Sequence, residues 1–227
     1  MKKYLVMASV VSLASLWTAQ ALALDLDTDK KRFSYFIGTQ VGQQLKSDHI
    51  DLDEAAFMAA IRDSTTGAKS QLSPEDGQAT LQRMQQQREV EMRKLAEANR
   101  LEGQEFLAAN KGKADVKTLP SGLQYKVIKP GVGASPKATD TVEVNYRGTL
   151  INGTEFDSSY SRGQPASFPV NGVIQGWQEA LQVMKPGAKW QIFVPSELAY
   201  GERGAGGAIG PNATLIFDVE LLKIKAE

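Results

Sequence analysis

The feature that most constrains this chain is a change of pattern near residue 111. The preceding stretch opens on Ser73-Pro74-Glu75-Asp76, with serine as N-cap, proline at the first helical position and acids in the first turn. Beyond Pro74 there is no proline up to Asn110, and the only glycines are Gly77 and Gly103. Gln, Glu, Arg, Lys, Leu, Met and Ala dominate, all good helix formers. The spacing predicts one helix over 73–112, a rod of roughly 55 Å at 1.5 Å per residue. Its apolar positions (Leu81, Met84, Met92, Leu95, Phe106) are too sparse for a coiled coil, and Glu89 with Arg93 suits a solvated face. A helix polar nearly all round bridges two bodies, whereas one lying flat on a domain wants a wider apolar stripe.

After a polar linker at 111–117 the period becomes two. Leu123, Tyr125 and Val127 alternate with polar residues, as do Val142, Val144 and Tyr146, and then Trp190, Ile192 and Val194. Asn152-Gly153 between two such runs is a two-residue hairpin signal. Residues 173–183 read as a short amphipathic helix stopped by Lys185-Pro186-Gly187, and 215–222 as a closing strand. Strands with one short helix packed on a face make an α+β domain, expected over 113–227.

Upstream, Phe33, Ile37, Val41 and Leu45 form one stripe of a helix over 29–46. Gly38 and Gly42 have the small-xxx-small spacing that lets two helix backbones approach closely. A second helix is capped by Asp51 or Asp53 and ended by Gly67. This region, 24–72, is too small to bury a good core alone, which points to a dimer contact along the stripe. Residues 1–23 look like a cleaved export signal, with Lys2 and Lys3, an apolar core over 5–17 and Ala21-Leu22-Ala23 as cleavage site. The apolar run is short for a membrane span.

The whole chain is formally neutral, with 26 basic and 26 acidic residues. Removing 1–23 takes away two lysines and leaves a net charge of −2 (24 against 26). Nothing in that balance suggests a nucleic-acid partner. Cysteine is absent and His49 is the only histidine. Disulfides, thiolate catalysis and a lipid-modified cysteine are excluded, and neither a Ser-His-Asp hydrolase nor a zinc site is expected. No metal and no cofactor are expected.

The last third carries Val144-Asn145-Tyr146-Arg147-Gly148, Phe156-Asp157, Val173-Ile174-Gln175-Gly176-Trp177, Ala199-Tyr200-Gly201 and Leu215-Ile216-Phe217-Asp218-Val219-Glu220-Leu221. Together these resemble the FKBP-type peptidyl-prolyl isomerases across roughly residues 115–227. With an exported helical region in front, the chain resembles the macrophage infectivity potentiator-like branch. That resemblance implies an antiparallel sheet wrapped around a short helix, preceded by an all-helical dimerisation region and a long linker helix. It also implies a V-shaped homodimer in the periplasm, with outer-membrane association left open.

The same resemblance places a pocket floor at Trp177 and walls at Tyr146, Phe156, Phe168, Val173, Ile174, Ile209 and Phe217, with Asp157 and Tyr200 at the rim. It assigns catalysis to Asp157, Tyr200, Phe217 and Tyr146, and substrate contact to the others. Partners would be proline-containing unfolded polypeptides and macrolides such as tacrolimus or rapamycin. Whether Asp157 orients Tyr146 or polarises the substrate stays open, and each apolar residue alone could be ordinary core. Residues 201–210 fail as a phosphate loop, lacking the Gly-Lys-Ser/Thr that would follow. They read as a flexible hood over the cup, made small and loose by Ala205, Ala208 and Gly210. The rival to isomerisation is a non-catalytic chaperone holding clients in the cleft of a dimer.

Overall fold

The computed structural model describes residues 24–48 and 50–225. The expected export signal at 1–23 and His49 lie outside the described residues. The chain divides into two units at Ser73 and Pro74.

The first unit holds α1 (Asp29–Ser47) and α2 (Glu54–Thr66). The Thr28 side chain accepts from the Lys31 N–H to cap α1, and Asp53 accepts from the Ala56 N–H to cap α2. Gly67 ends α2 at φ 71°, left-handed backbone that only glycine adopts without a Cβ penalty. No residue of either helix is buried. Phe33, Phe36, Ile37 and Val41 are all exposed, Phe33 to 65%. The described residues of this unit thus have an apolar face and no buried core.

The second unit begins with α3 (Pro74–Lys111) and continues with β1 (Val116–Thr118), β2 (Gln124–Lys129), β3 (Thr141–Leu150), β4 (Glu155–Ser158) and β5 (Ala166–Pro169). Then come α4 (Gln175–Leu181), β6 (Lys189–Val194) and β7 (Leu215–Lys225). The antiparallel sheet runs β1-β2-β6-β7-β3-β4, with β5 also on β3. Val142, Val144, Tyr146 and Gly148 of β3 are buried at alternate positions, the period read from the sequence, and Leu215, Phe217, Val219 and Leu221 of β7 alternate likewise. They meet Trp177, Ala180 and Leu181 of α4 in one core. The glycine before Trp177 permits that packing: a Cβ on Gly176 would lie 2.5 Å from Val194 Cγ1.

Three local expectations change. The turn at Asn152-Gly153 has only Gly153 at positive φ, and the backbone bonds are Gly153 N to Leu150 O and Leu150 N to Thr154 O. That is a three-residue loop with a bulged glycine, not the two-residue turn, which needs positive φ at both positions. Strands β1 and β5 were not legible, because three or four residues are too few for an alternation to stand out.

Helix α3 is the third change. Residues 80–95 are exposed, in keeping with a solvated rod, but the last turns pack on the sheet. Gly103 and Asn110 are buried. Phe106 meets Phe193 of β6 at 5.9 Å between ring centroids. Asn110 Nδ2 donates to Gln124 Oε1 at 2.9 Å, and Gln124 Nε2 donates to the Leu107 carbonyl at 2.8 Å. A seat made of a glycine and two amides carries no hydrophobic period, so the pattern of apolar residues could not reveal it.

Candidate functional site

Five elements and two loops converge on one cavity of about 510 Å³. Tyr146 comes from β3, Phe156 and Asp157 from β4, Phe168 from β5, Trp177 from α4 and Phe217 from β7. Val173 and Ile174 lead into α4, while Tyr200 and Ile209 lie between β6 and β7. All ten residues expected at the site line this cavity, joined by Gly172, Ala205, Gly206 and Ala208.

Trp177 is the hub. Its indole meets Tyr146 at 5.3 Å and 88°, Phe217 at 5.3 Å and 87°, and Phe168 at 6.1 Å and 86°. Edge-to-face contacts suit ring quadrupoles, and three of them fix the indole plane. Phe156 stands edge-on to Phe217 in turn. A Cβ on Gly148 would lie 2.6 Å from the Phe156 ring, so glycine there makes room for the wall. Trp177 is only 4% exposed, and its indole N–H has no hydrogen-bond partner among the described residues. A buried donor left unpaired costs about 1–3 kcal/mol.

The rim is polar and connected. The Tyr146 hydroxyl donates to Asp157 Oδ2. Arg162 reaches both partners, with Nη1 donating to Asp157 Oδ1 at 2.5 Å and Nη2 to the Tyr146 hydroxyl at 2.7 Å. The guanidinium carbon also lies 5.5 Å from the Tyr146 ring centroid. Ser159 sets the geometry from behind, its Oγ accepting from the Tyr146 N–H at 2.9 Å. Partial burial alone would raise the Asp157 pKa, but the bonds from Tyr146 and Arg162 outweigh it and hold the carboxyl below the ordinary range. Burial, and then the bond to Asp157, pushes the Tyr146 phenol above its usual value. The bonds to Tyr146 and Asp157 raise Arg162 further.

Arg162 was missed by sequence reasoning. It stands in an exposed turn five residues after Asp157, a separation with no meaning in either helical or strand period. Tyr200, expected at the rim, is 42% exposed there and takes no part in the Tyr146–Asp157–Arg162 cluster. The hood is as small as its residues imply, but it is tied. Ala205 and Ile209 exchange two backbone hydrogen bonds of 2.8 and 3.0 Å. Gly204 turns there at φ 63°, where a Cβ would lie 2.2 Å from the Ile209 carbonyl oxygen.

Residues 133–222 match the family of FKBP-type peptidyl-prolyl cis-trans isomerases, and residues 30–127 match the domain found amino-terminal to such isomerases. The chain is 46% identical over 231 residues to the outer membrane protein MIP of Legionella longbeachae, covering 99% of both chains. It is 46% identical over 214 residues to the peptidyl-prolyl cis-trans isomerase Mip of Coxiella burnetii, covering 92% of this chain and 93% of that one. The crystal structure of FkpA from Escherichia coli is similar at a TM-score of 0.62 and 39% identity, over 88% of this chain and 99% of that chain.

Proposed function

Because the chain belongs to the FKBP-type peptidyl-prolyl cis-trans isomerases, and is an isomerase of that type, we propose that the X–Pro amide turns in the cup around Trp177. The observation that carries this reading is the convergence of Tyr146, Phe168 and Phe217, edge-on, around one buried indole inside an open cavity.

The barrier to be lowered is about 18–20 kcal/mol, the cost of breaking amide resonance. Unaided, X–Pro bonds interconvert in tens to hundreds of seconds. The twisted amide has lost conjugation and is less dipolar than the planar one. An apolar cup therefore disfavours the planar ground state relative to the twisted state, which is differential binding without a covalent step. About 4 kcal/mol of it would give roughly a thousandfold acceleration.

Each residue has a part in this reading. Trp177 carries the prolyl ring, and Phe156, Phe168, Val173, Ile174, Ile209 and Phe217 exclude water from it. Both oxygens of Asp157 are engaged by Tyr146 and Arg162. This supports an orienting role over proton abstraction: the carboxylate holds the phenol in place and presents a fixed negative edge to the amide. The Tyr200 hydroxyl, at the mouth, donates to the carbonyl of the twisted amide.

The substrates are proline-containing segments of unfolded polypeptides outside the cytoplasm. The charged n-region and apolar stretch within 1–23 support export to the periplasm. The exposed apolar face of α1, with no buried residue in α1 or α2, supports a homodimer formed there. Tacrolimus and rapamycin, which mimic a twisted prolyl amide, are proposed ligands of the same cup.

A protease-coupled assay on prolyl peptides tests the reading. Asp157→Ala and Phe217→Ala should each lose activity, Asp157→Ala with little loss of stability because the carboxylate is half exposed. Saturating macrolide should abolish turnover. Full activity in both variants would move the site elsewhere.

A further inference from the structure

The hood over the cup has almost nothing of its own to hold it in place. Of residues 201–210, only Ile209 is a large apolar side chain, and Ile209 lines the cup. The bond between Ala205 and Ile209 ties the tip, and the Asn212 N–H donates to the Gly201 carbonyl at 2.8 Å to close the base. None of these bonds fixes the loop relative to the rest of the domain.

Helix α3 does. Asn99 Nδ2 donates to the Pro211 carbonyl at 2.7 Å, and Asn212 Nδ2 donates back to the Ala96 carbonyl at 3.3 Å. Two side-chain amides thus bond across the helix–loop boundary in opposite directions, each to a backbone carbonyl on the far side. The approach is close because residue 210 is glycine: a Cβ there would lie 3.0 Å from Asn99 Nδ2 and 3.5 Å from Leu95 Cδ2. Asn212 adopts φ 54°, the only positive φ outside glycine among the described residues. Asparagine tolerates that conformation better than most residues, so its backbone closes the loop while its side chain reaches the helix. The helix is anchored independently, through Gly103 against Thr214 and through Asn110 and Gln124.

We infer that Asn99 and Asn212 are positioning residues for the isomerase reaction, clasping the hood to α3 so that Ile209 stands at a fixed height over the bound prolyl segment. The inference rests on the cup's being the reaction site. The clasp touches neither substrate nor the Tyr146–Asp157–Arg162 cluster, so it acts on how tightly substrate is held and not on the turning step.

Two variants of the full chain test it. Asn99→Asp keeps the shape and loses the donor; Asn212→Gly keeps the left-handed backbone and loses the side chain. In each, KM for a prolyl tetrapeptide should rise about fivefold, the weight of one ordinary hydrogen bond, with kcat within about twofold of wild type. Amide hydrogen exchange at Ala205 and Ile209 should speed by about tenfold while the melting temperature stays put, since only a local opening is eased. Unchanged KM with unchanged exchange in either variant would overturn the inference, as would a fall in kcat at unchanged KM. The exchange readout needs no turnover, so it stays separate from the cup's role, which full activity of both Asp157→Ala and Phe217→Ala would refute.

Discussion

Replacing Gly103 by alanine should destabilise this protein, against the usual rule for helices. In a helix interior, alanine is favoured over glycine by about 1 kcal/mol. Gly103 lies well inside α3, so propensity alone forecasts a gain. The structure forecasts the reverse. A Cβ at position 103 would lie 2.3 Å from Thr214 Oγ1 and 3.3 Å from Thr214 Cβ. Thr214 is 4% exposed and cannot swing into solvent. Its β-branched side chain has few χ1 choices, and none of them moves its Cβ. Either the helix lifts from the sheet or Thr214 leaves its rotamer. Overpacking of this kind costs about 1–3 kcal/mol; an approach of 2.3 Å to a buried side chain belongs in the upper part of that range, about 2–3 kcal/mol, which leaves a net loss of about 1–2 kcal/mol after the propensity gain.

The assay reads the right part of the molecule. Beyond residue 23, tryptophan occurs only at positions 177 and 190, both in the second unit. Fluorescence-monitored melting should therefore show a drop of about 2–8 °C for Gly103→Ala, at 2–4 °C per kcal/mol for a unit of this size. Thr214→Ala removes the nearest atom, so the double variant should be less destabilised than the two single losses summed, by about 1 kcal/mol. A rise in melting temperature for Gly103→Ala, or simple additivity in the double variant, would refute the seat between α3 and the strand that follows the hood.

Isomerase activity should stay level from about pH 5 to pH 9, because the ordinary carboxylate pKa lies near 3.9 and the ordinary phenol near 10. The Asp157 pKa is depressed in the folded state and that of Tyr146 is raised. The stabilisation of the rim cluster is thus present above the unfolded carboxylate value and lost as pH falls through the folded one. A bell centred near pH 7 in kcat/KM would indicate proton transfer and overturn the mechanism. The proposed homodimer contact predicts that Gly38→Leu with Gly42→Leu, both positions having open space within the single chain, shifts light scattering toward monomer. Peptide turnover should persist in that monomer, while refolding of a large proline-limited client slows through lost effective concentration. A monomeric wild type would refute the dimer.

The apolar half of the site was legible through the resemblance, and for its strand residues the period gives the physical reason. Tyr146 continues the alternation of Val142 and Val144, and Phe217 lies in phase with Leu215 and Val219, so facing one core was a consequence of strand geometry. Trp177 was legible through its neighbour, since Gly176 marks the close approach to Val194. The polar half was only half legible. Asp157 stood out beside Phe156, but Arg162, which occupies its second oxygen, lies in a turn where no period relates one residue to another. The seat of α3 was illegible for a related reason. Amide-to-carbonyl bonds such as Asn99 to Pro211 span more than a hundred residues and involve side chains that look solvated in any local window. By polarity alone the same helix surface looks like a solvated linker. A buried amide is also polar; what separates the two cases is the partner, and here the partner is the loop over the cup. Helix α3 therefore meets the isomerase fold at the hood as well as at its seat, and a change at Asn99 will be felt in the pocket before it is felt in the fold.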